Sequence, residues 1–157
     1  MEAKIGIKQK LLAKVAFDLS KLLADEFLLY TKTRNAHWNV EGPDFHSAHI
    51  FFESQYEFLD EAMDDVAERI RAIGHYAPAT LHEFLKLTKL SEQSRKTNDS
   101  AAFIQELLAD HESIIIRLRE CINIFAADYQ DAGSSDFVTG LLEKHEKMAW
   151  MLRAHLK

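Results

Sequence analysis

From Ile7 to Ile73 the chain contains one glycine and one proline, and the two are adjacent, at Gly42-Pro43. Helix interiors tolerate these two residues least, so a long helix on each side of a single turn is the expected outcome. The full 157 residues hold only five Gly and two Pro, which extends the same expectation to the rest of the chain. Upstream of the break, Leu11, Leu12, Val15, Leu19, Leu22, Leu23, Phe27 and Tyr30 recur at three- and four-residue spacings and predict a helix from about Ile5 to Asn35. Downstream, Asp44 is placed to cap a second helix from Phe45 to Ile73, closed by Gly74, with Phe45, Phe52, Leu59, Met63, Val66 and Ile70 as its core stripe.

Residues 75–98 break this pattern. Pro78 precedes a short helical segment, Leu81 to Leu87, and the polar run "TKLSEQSRKTNDS" follows. Asn98-Asp99-Ser100 can cap a third long helix, carried by Phe103, Leu107, Leu108, Ile114, Leu118 and Ile122 to about Ala127. After the turn "DYQDAGSSD", a fourth begins near Ser134 or Ser135 and carries Phe137, Val138, Leu141, Leu142, Met148, Trp150, Met151 and Leu152. Long helices joined by short, long and short connections predict an all-α, ferritin-like four-helix bundle, with a crossover holding a short helix between the second and third long helices. A composition of 47% hydrophobic and 28% charged residues suits a single globular domain over 1–157.

No window approaches the roughly 18 apolar residues of a membrane span. The lone Cys121 and the absence of an apolar N-terminal run lead to a cytoplasmic expectation. A net charge of −6 disfavours nucleic acid or anionic lipid as a generic partner and favours cations.

The chemistry concentrates around the first turn. On the second helix His49, Glu53, Asp60 and Asp64 fall within roughly 60° of arc, with Glu68 one turn beyond. This acidic stripe borders the apolar one, where ionised groups are costly unless paired or bound to a cation. For an acidic stripe alone, a solvated face paired to Arg69 or Arg71 is the plainer account, because charge runs usually face water. His37, near the end of the first helix, can meet His49 across the hairpin, while His46 points away. Imidazoles with carboxylates suit ferrous iron, manganese or zinc, and spacing alone selects none of them.

The run "HWNVEGPDFHSAHIFFESQYEFLDEAMDDVAERIRAIG", His37 to Gly74, resembles the signature of the Dps proteins, the small ferritins first described as DNA-protecting proteins of starved cells. The C-terminal "DFVTGLLEKHEKMAWMLRAHL" is similar to the same family, so the likeness covers most of the chain. The resemblance implies a homo-oligomeric shell, a dodecamer, that oxidises Fe(II), preferably with hydrogen peroxide, and stores ferric mineral. It also implies ferroxidase sites at two-fold interfaces, with His37, His49 and Glu53 from one subunit and Asp64 and Glu68 from its partner. Many members carry Asp where this chain has Glu53, and the extra methylene alters the reach of that ligand.

By the same resemblance Trp38 is an electron donor beside the site, against the plain alternative of an interface aromatic. Asp131 and Asp136 match acids lining three-fold pores, against ordinary turn and cap chemistry. Twelve copies would carry a charge of about −72, a field that draws cations. Family members that condense DNA often use a lysine-rich tail; here Met1 to Lys10 offers Lys4, Lys8 and Lys10, offset by Glu2. Repeated twelvefold, this is compatible with weak, salt-sensitive DNA binding.

Two other functions compete with ferroxidation. One is nucoid compaction by a DNA-binding shell that depends little on iron chemistry. The other is a carboxylate enzyme acting on an organic substrate, which needs paired Glu-x-x-His motifs on separate helices; Glu143-x-His145 has the wrong spacing, and no Glu lies three residues before His49.

Overall fold

A computed structural model describes residues 3–157. It contains α1 (Gln9–Asn39), α2 (Phe45–Ala72), the short α3 (Leu81–Leu87), α4 (Ser100–Asn123) and α5 (Ala132–Ala154), with a π-helical turn, Ile124–Asp128, between α4 and α5. The hairpins α1/α2 and α4/α5 pack against one another through α1 and α4, giving the four-helix bundle with a crossover. Among the described residues no helix is long and apolar enough to cross a membrane.

The core is built from the predicted stripes. Leu12, Val15, Leu19, Leu22 and Leu29 of α1 meet Phe52, Leu59, Val66 and Ile70 of α2, Phe103, Leu107, Ile114 and Leu118 of α4, and Val138, Leu141 and Leu152 of α5. Each fully buried Phe or Leu contributes on the order of 1.5–3 kcal/mol by leaving water. Phe45 departs from the expectation: it is 45% exposed and lies over the His49 ring at 5.3 Å instead of entering the core. Trp150, expected on the α5 stripe, is also exposed. Burial pushes the Cys121 thiol up to about 11, so it stays protonated and unreactive at neutral pH.

The helix ends differ from the sequence expectation where local chemistry intervenes. α1 starts at Gln9, not Ile5, because residues 5–7 bend through Gly6 at φ +83°, and it runs on to Asn39, past the expected Asn35. Asp44 occupies the position before α2 without capping it. Its carboxylate instead accepts a 2.5 Å hydrogen bond from Ser100 Oγ, and the Glu41 amide donates to the Asn98 carbonyl, so the first turn is tied to the start of α4. Asp99 does cap α4, accepting from the Ala102 amide at 2.9 Å, and Thr80 caps α3 through the Glu83 amide. α5 begins at Ala132, two residues early, because Asp131 caps it through the Ser134 amide at 2.9 Å.

Buried charge holds the crossover to the bundle. Asp25 accepts from Thr88 Oγ1 at 2.7 Å and the Lys89 amide at 2.8 Å. Glu106 accepts from the Ser94 and Arg95 amides and pairs with the Arg95 guanidinium at 3.1 Å. Lys32 bridges Asp110 at 2.5 Å and the Ser91 carbonyl at 2.9 Å. Phe84 of α3 stacks on Phe27 of α1 with centroids 4.4 Å apart.

Candidate metal centre

His37 sits in the last turn of α1 and His49 in the second turn of α2, and the sharp turn at Gly42 brings them face to face. Gly42 has φ +130°, a conformation costly for any residue with a Cβ. The two rings stack with centroids 3.8 Å apart and planes 21° off parallel. His37 Nδ1 lies 2.9 Å from the His49 carbonyl oxygen, and His49 Nδ1 lies 2.7 Å from the His37 carbonyl oxygen. A carbonyl can only accept, so each Nδ1 carries the proton and donates. In each neutral ring Nε2 is then left with its lone pair, which is the tautomer a metal ligand needs.

Glu53 lies one turn beyond His49, and its Oε1 accepts a 3.2 Å hydrogen bond from the Tyr56 hydroxyl. Burial, then the Glu53 charge, holds the Tyr56 phenol above its ordinary value. The Tyr56 ring stands edge-on to His37 at 5.2 Å, and the Arg34 guanidinium covers the rings of Tyr56 at 4.3 Å and Trp38 at 5.0 Å. Trp38 itself is 63% exposed.

Asp64 and Glu68 stand apart from this group. Both are exposed on α2, and at 1.5 Å per residue Asp64 lies about 22 Å along the helix from His49. Among the described residues, no three His, Cys, Asp or Glu side chains of one chain form a cluster able to hold a metal. Imidazoles and distal carboxylates can therefore meet only if a second copy of α2 runs antiparallel to the first.

Asp131 and Asp136 have different surroundings. Asp131 is buried, caps α5, accepts from Ser134 Oγ at 2.6 Å and faces the Arg69 guanidinium at 3.4 Å, so its carboxylate is committed to the turn. Asp136 is exposed. At the N-terminus, Met1 and Glu2 lie outside the described residues. From Ala3 the chain is tied back, with Gln9 Nε2 donating to the Ala3 carbonyl at 2.7 Å, and Lys8 is the residue from which α1 starts.

Sequence reasoning missed one group. Glu26 of α1, His111 of α4 and His145 of α5 are sealed inside the bundle, at 0%, 1% and 0% exposure. His145 Nε2 is 2.8 Å from Glu26 Oε1, and the Nδ1 atoms of His111 and His145 are 2.9 Å apart. Burial, then the neighbouring His145, holds His111 well below its ordinary value. The signal was available, because Glu26 lies four residues after Leu22 and three before Leu29, within the predicted apolar stripe of α1.

The comparisons with known proteins agree with this architecture. The ferritin-like domain model matches residues 18–157. The DNA protection during starvation protein of Helicobacter pylori is 36% identical over 138 residues, 88% of this chain and 95% of its own. The chain belongs to the Dps family of ferritin-like proteins. An uncharacterized low temperature-induced protein of Nostoc sp. is 40% identical over 139 residues, 88% of this Dps-family chain and 78% of its own. Among solved structures, the Dps protein of Vibrio cholerae O1, described as a member of a broad superfamily of ferritin-like diiron-carboxylate proteins, superposes with a TM-score of 0.93 at 28% identity, covering 99% of this chain and 97% of that one.

Proposed function

We propose that this Dps protein is a ferroxidase that assembles into a homo-oligomeric shell, a dodecamer, in the cytoplasm and stores the ferric product. Each active site spans a two-fold interface, with His37, His49 and Glu53 from one subunit and Asp64 and Glu68 from the other. The observation that carries this reading is the reciprocal imidazole pair, in which both Nδ1 protons are spent on carbonyls and both Nε2 lone pairs are left for a cation. The 22 Å gap along α2 supports the shared site, because a two-fold axis pairs each chain's imidazoles with its neighbour's acids and creates two equivalent sites per interface.

Fe(II) is the substrate. Two ferrous ions held by mixed imidazole and carboxylate ligands each give one electron to hydrogen peroxide: 2 Fe²⁺ + H₂O₂ + 2 H⁺ → 2 Fe³⁺ + 2 H₂O. Delivering both electrons together avoids hydroxyl radical, the product of one-electron reduction. Trp38, next to the ligand His37 and 63% exposed, is the candidate local electron donor that traps stray oxidant. Asp136 is the exposed acid suited to a pore, while Asp131 has a structural role.

Subunit complementation tests the shared site. His37→Ala with His49→Ala removes the imidazole half, and Asp64→Ala with Glu68→Ala removes the acidic half. Each homogeneous shell should oxidise Fe(II) only slowly. Unfolded together and co-assembled, random pairing restores one intact site in every mixed dimer, so about one quarter of the activity returns. No recovery in verified mixed shells would place the site within one chain or elsewhere.

Nucoid compaction remains the second reading, and Lys4, Lys8 and Lys10 are its candidate DNA contacts. It predicts DNA retardation that survives loss of His37 and His49 and disappears when the lysines are replaced.

A further inference from the structure

Glu26 and His145 present an arrangement that the interface reading does not use. Both Glu26 oxygens and His145 Nε2 are fully buried and hydrogen-bond to no described residue, although Glu26 Oε1 and His145 Nε2 are only 2.8 Å apart. The N–H direction of the ring is out of line with the carboxylate, so proximity does not make a hydrogen bond. No described Lys or Arg comes within ion-pair distance of Glu26. A buried carboxylate that accepts no hydrogen bond is among the costliest groups a core can hold, even with an imidazole beside it.

We propose that Glu26 and His145 form a second metal site, inside each subunit's bundle, that takes one first-row divalent cation of the zinc or ferrous type. Two atoms 2.8 Å apart, each about 2.1 Å from a common ion, subtend roughly 84° at it, an angle that adjacent ligands commonly adopt. One carboxylate and one imidazole are the donor types such ions accept, and water carried in with the ion fills the remaining positions. His145 Nδ1 faces His111 Nδ1 at 2.9 Å, which is the outer hydrogen bond that fixes ring and tautomer behind a ligating nitrogen. His111 is thus a positioning residue and not a ligand. The ion ties α1 to α5 through its two ligands, with α4 bracing the site through His111, and makes subunit stability depend on metal supply.

The test separates this site from the interface site. Shells carrying His37→Ala, His49→Ala, Asp64→Ala and Glu68→Ala are stripped with chelator, exposed to Zn²⁺ alone and desalted. The expected result is one retained Zn²⁺ per chain and a melting temperature raised by several degrees. Adding Glu26→Gln, which keeps the side-chain volume, abolishes both, whereas adding His111→Gln keeps the stoichiometry and weakens affinity ten- to a hundredfold. No retained metal, or retention unchanged by Glu26→Gln, overturns the proposal and leaves the group as a buried ion pair. If Glu26→Gln fails to assemble, zinc-edge X-ray absorption on the parent shells decides: an imidazole in the first shell supports the site, and an oxygen-only shell overturns it. Both outcomes are independent of whether the interface oxidises iron.

Discussion

His37 and His49 hold each other in place, since each ring donates its Nδ1 proton to the other residue's backbone carbonyl, at 2.9 and 2.7 Å. Removing one ring therefore acts twice. His49→Ala deletes an Nε2 lone pair and also leaves the His37 carbonyl without its partner, at a cost of about 1 kcal/mol in stability. The initial rate of Fe(II) oxidation should fall at least tenfold while the shell survives, read by stopped-flow absorbance and particle mass. His49→Gln keeps some of the carbonyl bonding without the imidazole ligand, so it should recover stability more than rate.

Gly42 sets the approach of the two rings. With φ at +130°, an alanine there adopts a conformation that L-residues disfavour by about 1–3 kcal/mol, and its Cβ would sit 3.4 Å from the Asp44 carboxylate. Gly42→Ala should lower the melting temperature by several degrees and slow iron oxidation, since the turn that aligns His37 with His49 has to shift. Unchanged oxidation with lowered stability would show that the imidazole alignment tolerates a displaced turn.

Asp131 and Asp136 are five residues apart and should behave differently. Asp131→Ala removes the α5 cap and the partner of Arg69, and should cost about 1–2 kcal/mol in unfolding free energy. Asp136→Asn should leave the melting curve unchanged and slow iron uptake, most visibly at low ionic strength, where a ring of carboxylates steers cations most strongly. Equal uptake by Asp136→Asn and wild type across salt concentrations would remove Asp136 from the entry path.

The long helices and the crossover were legible because apolar periodicity and scarce breakers report burial directly. α3, Leu81–Leu87, was readable from its flanking turn residues, and Asp99 from its position before the α4 stripe. Asp44 was misread because cap propensity is local, whereas its partner, Ser100, lies 56 residues away. The π-helical turn at Ile124–Asp128 has no signature in residue spacing, since its extra residue per turn is absorbed by packing of Phe125 into the core. Glu26 and His145 were passed over for a related reason: a lone polar residue on an apolar face reveals its partner only when helices distant in sequence are packed together.

Glu106 provides a test of how buried charge fixes the crossover. Burial alone would raise its pKa, but the Ser94 and Arg95 amides and the Lys32 ammonium together outweigh that effect, and the carboxyl lies below its ordinary value. A carboxylate with a lowered folded pKa contributes stability that is present above the unfolded value, about 4.5, and is lost as pH falls through the folded one. Glu106→Gln at pH 7 leaves Lys32 paired with Asp110 at 2.5 Å but takes the carboxylate partner from the buried Arg95 guanidinium, so the loss should be about 3 kcal/mol. Thermal unfolding of wild type and Glu106→Gln at fixed ionic strength should show a gap that is constant from pH 7 to 5.5 and narrows below 4.5, as wild-type Glu106 takes up its proton. Hydrogen exchange should localise the change to residues 94 and 95, whose amides donate to the Glu106 carboxylate. A gap independent of pH would mean that shape and packing at Glu106, not its charge, hold the crossover against α4.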